Sequence, residues 1–265
     1  MSLGKEPPIV NREKLGTLFD LTGRTAVVTG GTRGIGLALA EAYVSAGANV
    51  VVASRKPEAC AKIEQHLRNL GGNAIGVPTH LGELDDLTTL VDRAVGEFGG
   101  IDILVNAAAN PLTQPLGRFT ADAWSKSYDV NLRGPVFLTQ AVLPHLEASA
   151  HAAVLNVVSV GAFMFSPRVA MYAAGKSALL SFTRSMAAEF APRGIRVNAL
   201  APGSVDTDMV RNNPPEAIEA MREMSLQKRI AEPDEMVGPA LLLTSDAGSY
   251  ITGQVIIADG GAVVH

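Results

Sequence analysis

From residue 25 onward, short runs of β-branched and aliphatic residues alternate with longer stretches whose apolar positions recur at helical spacing. Runs at 25–29, 49–53, 73–77, 102–105, 153–158, 195–199 and 254–258 read as strands. Stretches at 34–46, 57–70, 84–98, 121–147 and 169–191, with a further one inside 235–243, read as helices. The strand runs are apolar nearly throughout instead of alternating, which predicts burial on both faces and so a parallel sheet. Right-handed crossovers then give an α/β, doubly wound, three-layer α/β/α arrangement. No linker-like shift or repeat interrupts the series. It therefore predicts a single domain over 21–265, behind an irregular arm at 1–20 that mixes Lys, Glu, Pro and Asn. Segment 204–232 breaks the pattern with Asn212-Asn213-Pro214-Pro215. It follows a strand on its carboxyl side, where such sheets bind ligands, and is a candidate substrate lid.

Composition narrows the class. The 265 residues are 47% hydrophobic and 18% charged, with 26 Gly and a net charge of −4. There is no basic footprint for nucleic acid, and no run of ~18 apolar residues to span a membrane. One cysteine, Cys60, excludes an intramolecular disulfide framework and reads as incidental on a polar helix. The five histidines never share ligand spacing with Cys or carboxylates, so no metal site is expected. With no apolar leader in the first twenty residues, the expected location is the cytoplasm.

The candidate chemistry starts at Tyr172 and Lys176, four apart on a helical stretch and so on one face. An ammonium beside a phenol favours the phenolate and draws its pKa toward working range. Ser159 ends the strand run just upstream, which suits a site handling a carbonyl or an alcohol. At the other end, Thr29-Gly30-Gly31-Thr32-Arg33-Gly34-Ile35-Gly36 lies between the first strand and the first helix. Glycines there permit a tight turn and bring backbone N–H groups to a pyrophosphate, the mark of a Rossmann-type dinucleotide site.

The end of the second strand bears on which dinucleotide. An acid there would accept from the ribose 2′-OH, but the chain reads Ala53-Ser54-Arg55-Lys56, with no carboxylate before Glu58. Ser54 and Arg55 suit a phosphate, and Arg33 in the glycine turn can face the same group. NADP(H) is therefore favoured over NAD(H).

Together these residues resemble the short-chain dehydrogenase/reductase family over about 22–261. The resemblance rests on Thr29-Gly30-x-x-x-Gly34-x-Gly36, the Ser159/Tyr172/Lys176 spacing and Asn131 in Asp129-Val130-Asn131-Leu132. It is extended by Pro202-Gly203 with Thr207, and by Asp259-Gly260-Gly261. It implies that Tyr172 is the general acid in reduction and the base in oxidation. Lys176 would lower the tyrosine pKa and bind the nicotinamide ribose, Ser159 would bond the reacting oxygen, and Asn131 would hold a relay water. Backbone at Val205, with Thr207, would anchor the carboxamide. The implied cofactor surface also includes Gly30, Thr32, Arg33, Gly34, Ile35, Gly36, Ser54, Arg55, His80, Leu81, Asn106, Ala107, Pro202 and Gly203. A homotetramer is implied too, with helices 121–147 and 169–191 paired across a two-fold axis.

The chain departs from the family pattern in two places. Asn106-Ala107-Ala108-Ala109 stands where Asn-Asn-Ala-Gly is usual, and Ala107 removes possible hydrogen bonds to neighbouring strands. His80-Leu81 stands where an Asp commonly meets the adenine; His80 either takes that role or sits exposed. Trp124 reads as core rather than substrate wall, and His145 and His151 as surface residues. Phe163, Met164, Phe165 and Met171 line either an apolar pocket or a packing or subunit interface. Met209 and the methionines of 221–224 fall in the lid, where thioethers adapt to apolar ligands. The leading expectation is an NADP(H)-dependent reductase or dehydrogenase, most like those acting on 3-oxoacyl thioesters. Sugar, steroid or small-ketone substrates stay open, as does a dinucleotide-binding sensor without turnover.

Overall fold

In a computed structural model, seven parallel strands form one sheet in the order β3-β2-β1-β4-β5-β6-β7. The structure describes residues 11–165 and 167–263. Residues 1–10 of the expected arm, and His265, lie outside them. The strands are β1 (Thr25–Thr29), β2 (Asn49–Ser54), β3 (Ala74–Pro78), β4 (Ile103–Asn106), β5 (Ala153–Val157), β6 (Arg196–Pro202) and β7 (Val255–Ala258). Strand order reverses between β1 and β4, which pair in register from Ala26↔Ile103 to Thr29↔Asn106. That reversal opens a crevice at the carboxyl ends of both strands, the place where open α/β sheets bind ligands.

The apolar runs supply two cores at once. Ala26, Val28, Val50, Val52, Ile103 and Val105 pack on one face, with Leu39, Tyr43, Leu67 and Leu243. The alternate residues Val27, Val51 and Leu104 pack on the other, with Leu90, Leu138, Leu146 and Phe190. Each such side chain contributes roughly 1.5–3 kcal/mol on burial, so both helix layers are held by the strand sequence itself.

The helices of the first layer are α2 (Gly34–Ser45) and α3 (Pro57–Asn69), joined late in the chain by α10 (Val237–Thr244). The second layer has α4 (Leu84–Phe98), α5 (Ala121–Tyr128), α6 (Gly134–Ala148) and α7 (Ala170–Phe190). The candidate lid segment 204–232 carries α8 (Asp208–Arg211) and α9 (Pro215–Met224). Ahead of the sheet, Arg12–Thr17 forms α1, capped where the Asn11 side chain accepts from Lys14 N, so the arm is not irregular throughout.

Several expectations need correcting. The helix expected over 121–147 is broken by a π turn at Asp129–Arg133, closed by Gly134 N donating to Asp129 O. Pro135 explains the break, since it has no N–H to give to the carbonyl of Asn131 four residues earlier. Trp124 is 47% exposed and stacks on Tyr128 with centroids 4.5 Å apart, so it is not core. Its side of α5 faces outward, and Ala123 takes the buried position beside it. Cys60 is buried on α3, where its Sγ donates to Ser54 O, because that side of the helix faces β3. No helix among the described residues is long and apolar enough to cross a membrane.

Candidate active site

The strand ends bring most of the expected residues to one edge. Gly30 leaves β1 with φ 70, and a Cβ there would lie 2.8 Å from the Ala108 Cα beyond β4. Only glycine brings the two strand ends so close. Gly36, buried at the start of α2, would collide with the carbonyl of Gly30 if it carried a Cβ. The turn is thus wound tightly upon itself, opening the amino end of α2 to an anion. Gly36→Ala is expected to lower the melting temperature by several degrees and to abolish dinucleotide binding, because the obstructing atom is backbone and cannot move aside. Thermal denaturation with and without NADPH checks this.

Around that cradle, Thr32 and Ile35 are half-buried, and Gly34 faces Thr207, whose Cγ2 would lie 2.9 Å from an added Cβ. The start of α2 therefore abuts the start of the lid. Arg33 is exposed and its Nη1 lies 3.0 Å from Asp208 Oδ2 on α8. Ser54 ends β2 half-buried, and Arg55 is exposed just past it. His80 is half-buried: Asp86 accepts from its backbone N–H at 2.7 Å, and its Nδ1 accepts from Gly82 N at 3.2 Å. It is thus tied into its own turn. The Leu81 side chain belongs to the core. Pro202 is buried at the end of β6, Val205 is buried beyond it, and the Thr207 hydroxyl donates back to Val205 O at 3.3 Å.

The Asn106 amide nitrogen is committed inside the sheet. It donates to Asn156 Oδ1 at 2.9 Å, and Asn156 Nδ2 donates to Thr183 Oγ1 at 2.9 Å. A buried polar chain thus joins β4, β5 and α7, while Asn106 Oδ1 is buried with no hydrogen-bond partner among the described residues. Ala107, with no amide to offer, is held through its backbone: its N–H donates to Thr29 Oγ1 at 3.2 Å.

The expected catalytic set comes from three elements. Ser159 follows β5, Tyr172 and Lys176 stand one turn apart on α7, and Asn131 sits in the π turn packed against α7. The Ser159 hydroxyl lies near enough to the Tyr172 phenol to pull its titration downward. Lys176 is 1% exposed, donates to Val157 O at 2.8 Å, and its Nζ lies 5.7 Å from the centroid of the Tyr172 ring. Burial lowers this lysine to about 7. The expected lowering of the phenol is not what the free protein has. Desolvation pushes Tyr172 above its ordinary value of 10, against a smaller downward pull from Ser159. The amine sits beside the ring, and removal from water is the larger effect on both groups.

Asn131 is pinned. Its Oδ1 accepts from Asn110 N at 3.1 Å, and its Nδ2 donates to Asn110 O at 2.8 Å and Ser127 O at 2.9 Å. The amide is therefore committed to the loop after β4. The carbonyl, deprived of its i+4 donor by Pro135, is the group suited to holding a water. Asn110 was not foreseen as part of the site, and it could not have been: it acts through its backbone, which leaves no residue-type signal.

Beside Ser159 opens a cavity of 320 Å³, lined by Val160, Gly203, Ser204, Met221, Met224 and Met236 among others. Two lid methionines thus reach it, while Met209 points to the exterior as an exposed residue. Met171 is buried, Phe163 packs on a small cluster with Leu179 and Leu180, and Phe165 is 85% exposed.

This fold and site have counterparts. Residues 30–263 match the family model described as "Enoyl-(Acyl carrier protein) reductase". The chain is 40% identical to "Dehydrogenase/reductase SDR family member 4" of Pongo abelii over 244 residues, 91% of this chain and 88% of that protein. A 3-oxoacyl (acyl-carrier-protein) reductase from Agrobacterium tumefaciens, solved with NADP bound, is similar at TM-score 0.87 and 37% identity, covering 93% of this chain and 97% of that one. A 7α-hydroxysteroid dehydrogenase complexed with NADH is similar at TM-score 0.90 and 29% identity, covering 94% and 98%. With sequence and backbone agreeing over nearly all of both partners, this chain belongs to the short-chain dehydrogenase/reductase family of oxidoreductases.

Proposed function

We propose that this protein is an NADP(H)-dependent oxidoreductase acting between a carbonyl and a secondary alcohol, with an acyl-type or similarly apolar substrate. The observation that carries the proposal is the Ser159–Tyr172–Lys176 arrangement at the carboxyl edge of the sheet, one crevice away from the glycine turn. A sensor without turnover has no use for a lysine buried until its charge is marginal, since such burial costs stability. Met221, Met224 and Met236 form an apolar wall of the cavity beside the charged Arg229, Glu235 and Asp259, which supports a substrate with an apolar portion such as an acyl chain, and the 3-oxoacyl reductase among the similar structures points the same way.

When bound, the nicotinamide supplies the hydride. The protein's own groups handle the oxygen. The Tyr172 hydroxyl lies near Ser159, so both can address one oxygen atom, with Ser159 donating a hydrogen bond and Tyr172 giving up its proton. A phenol kept above its ordinary value stays protonated at neutral pH, which is the form reduction requires. Lys176 has three donors and Val157 takes one, leaving N–H groups for ribose hydroxyls. Those acceptors favour the charged amine, which in turn eases departure of the Tyr172 proton.

NADP(H) is favoured by Arg55 and Arg33 and by the missing acid after β2. Arg55→Ala is expected to weaken NADPH about tenfold or more and to leave NADH nearly unchanged, the loss expected when a charge-assisted bond to phosphate disappears. Calorimetric titration with both dinucleotides tests this; equal effects on the two would refute the assignment. We further place the protein in the cytoplasm as a homotetramer. Trp124, Phe137 and Phe182, all exposed on α5, α6 and α7, support pairing through those helices.

A further inference from the structure

Arg33 and Asp208 join parts of the site that lie 175 residues apart in the chain. One is in the glycine turn, at the position suited to a 2′-phosphate. The other opens α8, next to Thr207. We propose that Asp208 is a latch on Arg33: it holds the guanidinium toward the lid in the free protein and yields it to the 2′-phosphate when NADPH binds. The proposal rests on the NADP(H) reading above and adds a residue that sets how strongly the phosphate is favoured.

The geometry makes the exchange easy. Gly34 against Thr207 fixes the turn beside the lid, so Arg33 reaches Asp208 with no movement of either element. The Arg33 backbone is extended, with φ −165 and ψ 167 just outside α2, so the side chain can swing by its own torsions alone. Its bond to Asp208 uses one nitrogen, Nη1, and Nη2 and Nε have no protein partner among the described residues. The two side chains are 73% and 53% exposed, and such a pair is weakly held in water. A phosphate can take two guanidinium nitrogens at once and carries more charge than a carboxylate. It therefore wins Arg33 from a single-pronged, hydrated partner. Asp208 is not stranded by the exchange. Arg211, bonded to both oxygens of Asp206 at 2.7 and 2.8 Å, also lies within the field of Asp208. NADH has no 2′-phosphate and leaves the latch closed.

The test is calorimetric titration of NADPH and NADH into the wild type, Asp208→Asn, Arg33→Ala and the double variant. Asp208→Asn is expected to tighten NADPH by about two- to fivefold, the range open to an exposed ion pair, and to leave NADH unchanged. In the Arg33→Ala background the gain should vanish. Weaker NADPH binding in Asp208→Asn would overturn the latch. So would an equal gain for NADH, or a gain that survives without Arg33, since each marks a plain charge effect. A wild type that binds NADPH and NADH alike overturns the cofactor reading and the latch with it. A preference for NADPH that Asp208→Asn leaves untouched overturns the latch alone.

Discussion

Tyr172→Phe is expected to cut kcat for carbonyl reduction by about 10²–10⁴-fold, the usual contribution of a positioned general acid. Phenylalanine keeps the ring in place beside Lys176 and removes only the hydroxyl that faces Ser159. NADPH affinity should fall far less, because Lys176 still offers donors to the ribose. Single-turnover rates and dissociation constants measured on the same preparations separate the two quantities. A loss confined to binding would mean that the hydroxyl serves the cofactor and not the oxygen. Ser159→Ala distinguishes the supporting role, since the acid remains and only one hydrogen bond to the reacting oxygen is lost.

The second large effect concerns Lys176. Replacing it by Met should abolish turnover and also change how stability depends on pH. The amine is lowered to about 7 in the folded protein, whereas an unfolded lysine titrates near pKa ~10.4. Between those values the unfolded chain holds more protons on this group, so stability rises with pH across that window. Below about pH 7 both states are protonated and the full penalty of the buried charge applies. From pH 7 to 9 the wild type should gain on the order of 2 kcal/mol from this residue alone, and Lys176→Met should lose that gain. Urea midpoints at the two pH values check it. Identical slopes in both proteins would mean that the amine keeps its charge in the folded state. The methionine also leaves Val157 O without its partner, which lowers stability at every pH by about 1–3 kcal/mol without changing the slope.

Much of this architecture was legible in the sequence. Nearly continuous apolar strands such as Thr25–Thr29 and Ala153–Val157, polar only at Thr25, Thr29 and Asn156, point to burial between two helix layers. The glycine turn and the Tyr172/Lys176 pair follow from short-range rules of chain geometry, so their spacing carries the information. What escaped the reading depends on distant partners. The break at Asp129–Arg133 needed Pro135 to be weighed against an otherwise regular helical pattern. Trp124 was misplaced because its hydrophobicity says nothing about which side of α5 is covered. The direction of the Tyr172 shift was misjudged for a related reason: the charge of Lys176 can be read from the sequence, but the desolvation acting on both groups cannot. Asp208 gave no sign of facing Arg33, since two exposed opposite charges 175 residues apart look like any others.

The central claim is that Ser159, Tyr172 and Lys176 deliver a proton to a carbonyl oxygen at an NADPH site. Its most direct test is the loss of reduced-nicotinamide absorbance in the near ultraviolet. Wild type and Tyr172→Phe should be run side by side against a panel of ketones and a 3-oxoacyl thioester, with NADPH and with NADH. Turnover in the wild type with NADPH preferred, and near-complete loss in the variant, are expected. Equal rates in the two proteins, or no oxidation of NADPH by any carbonyl in the panel, would contradict the claim.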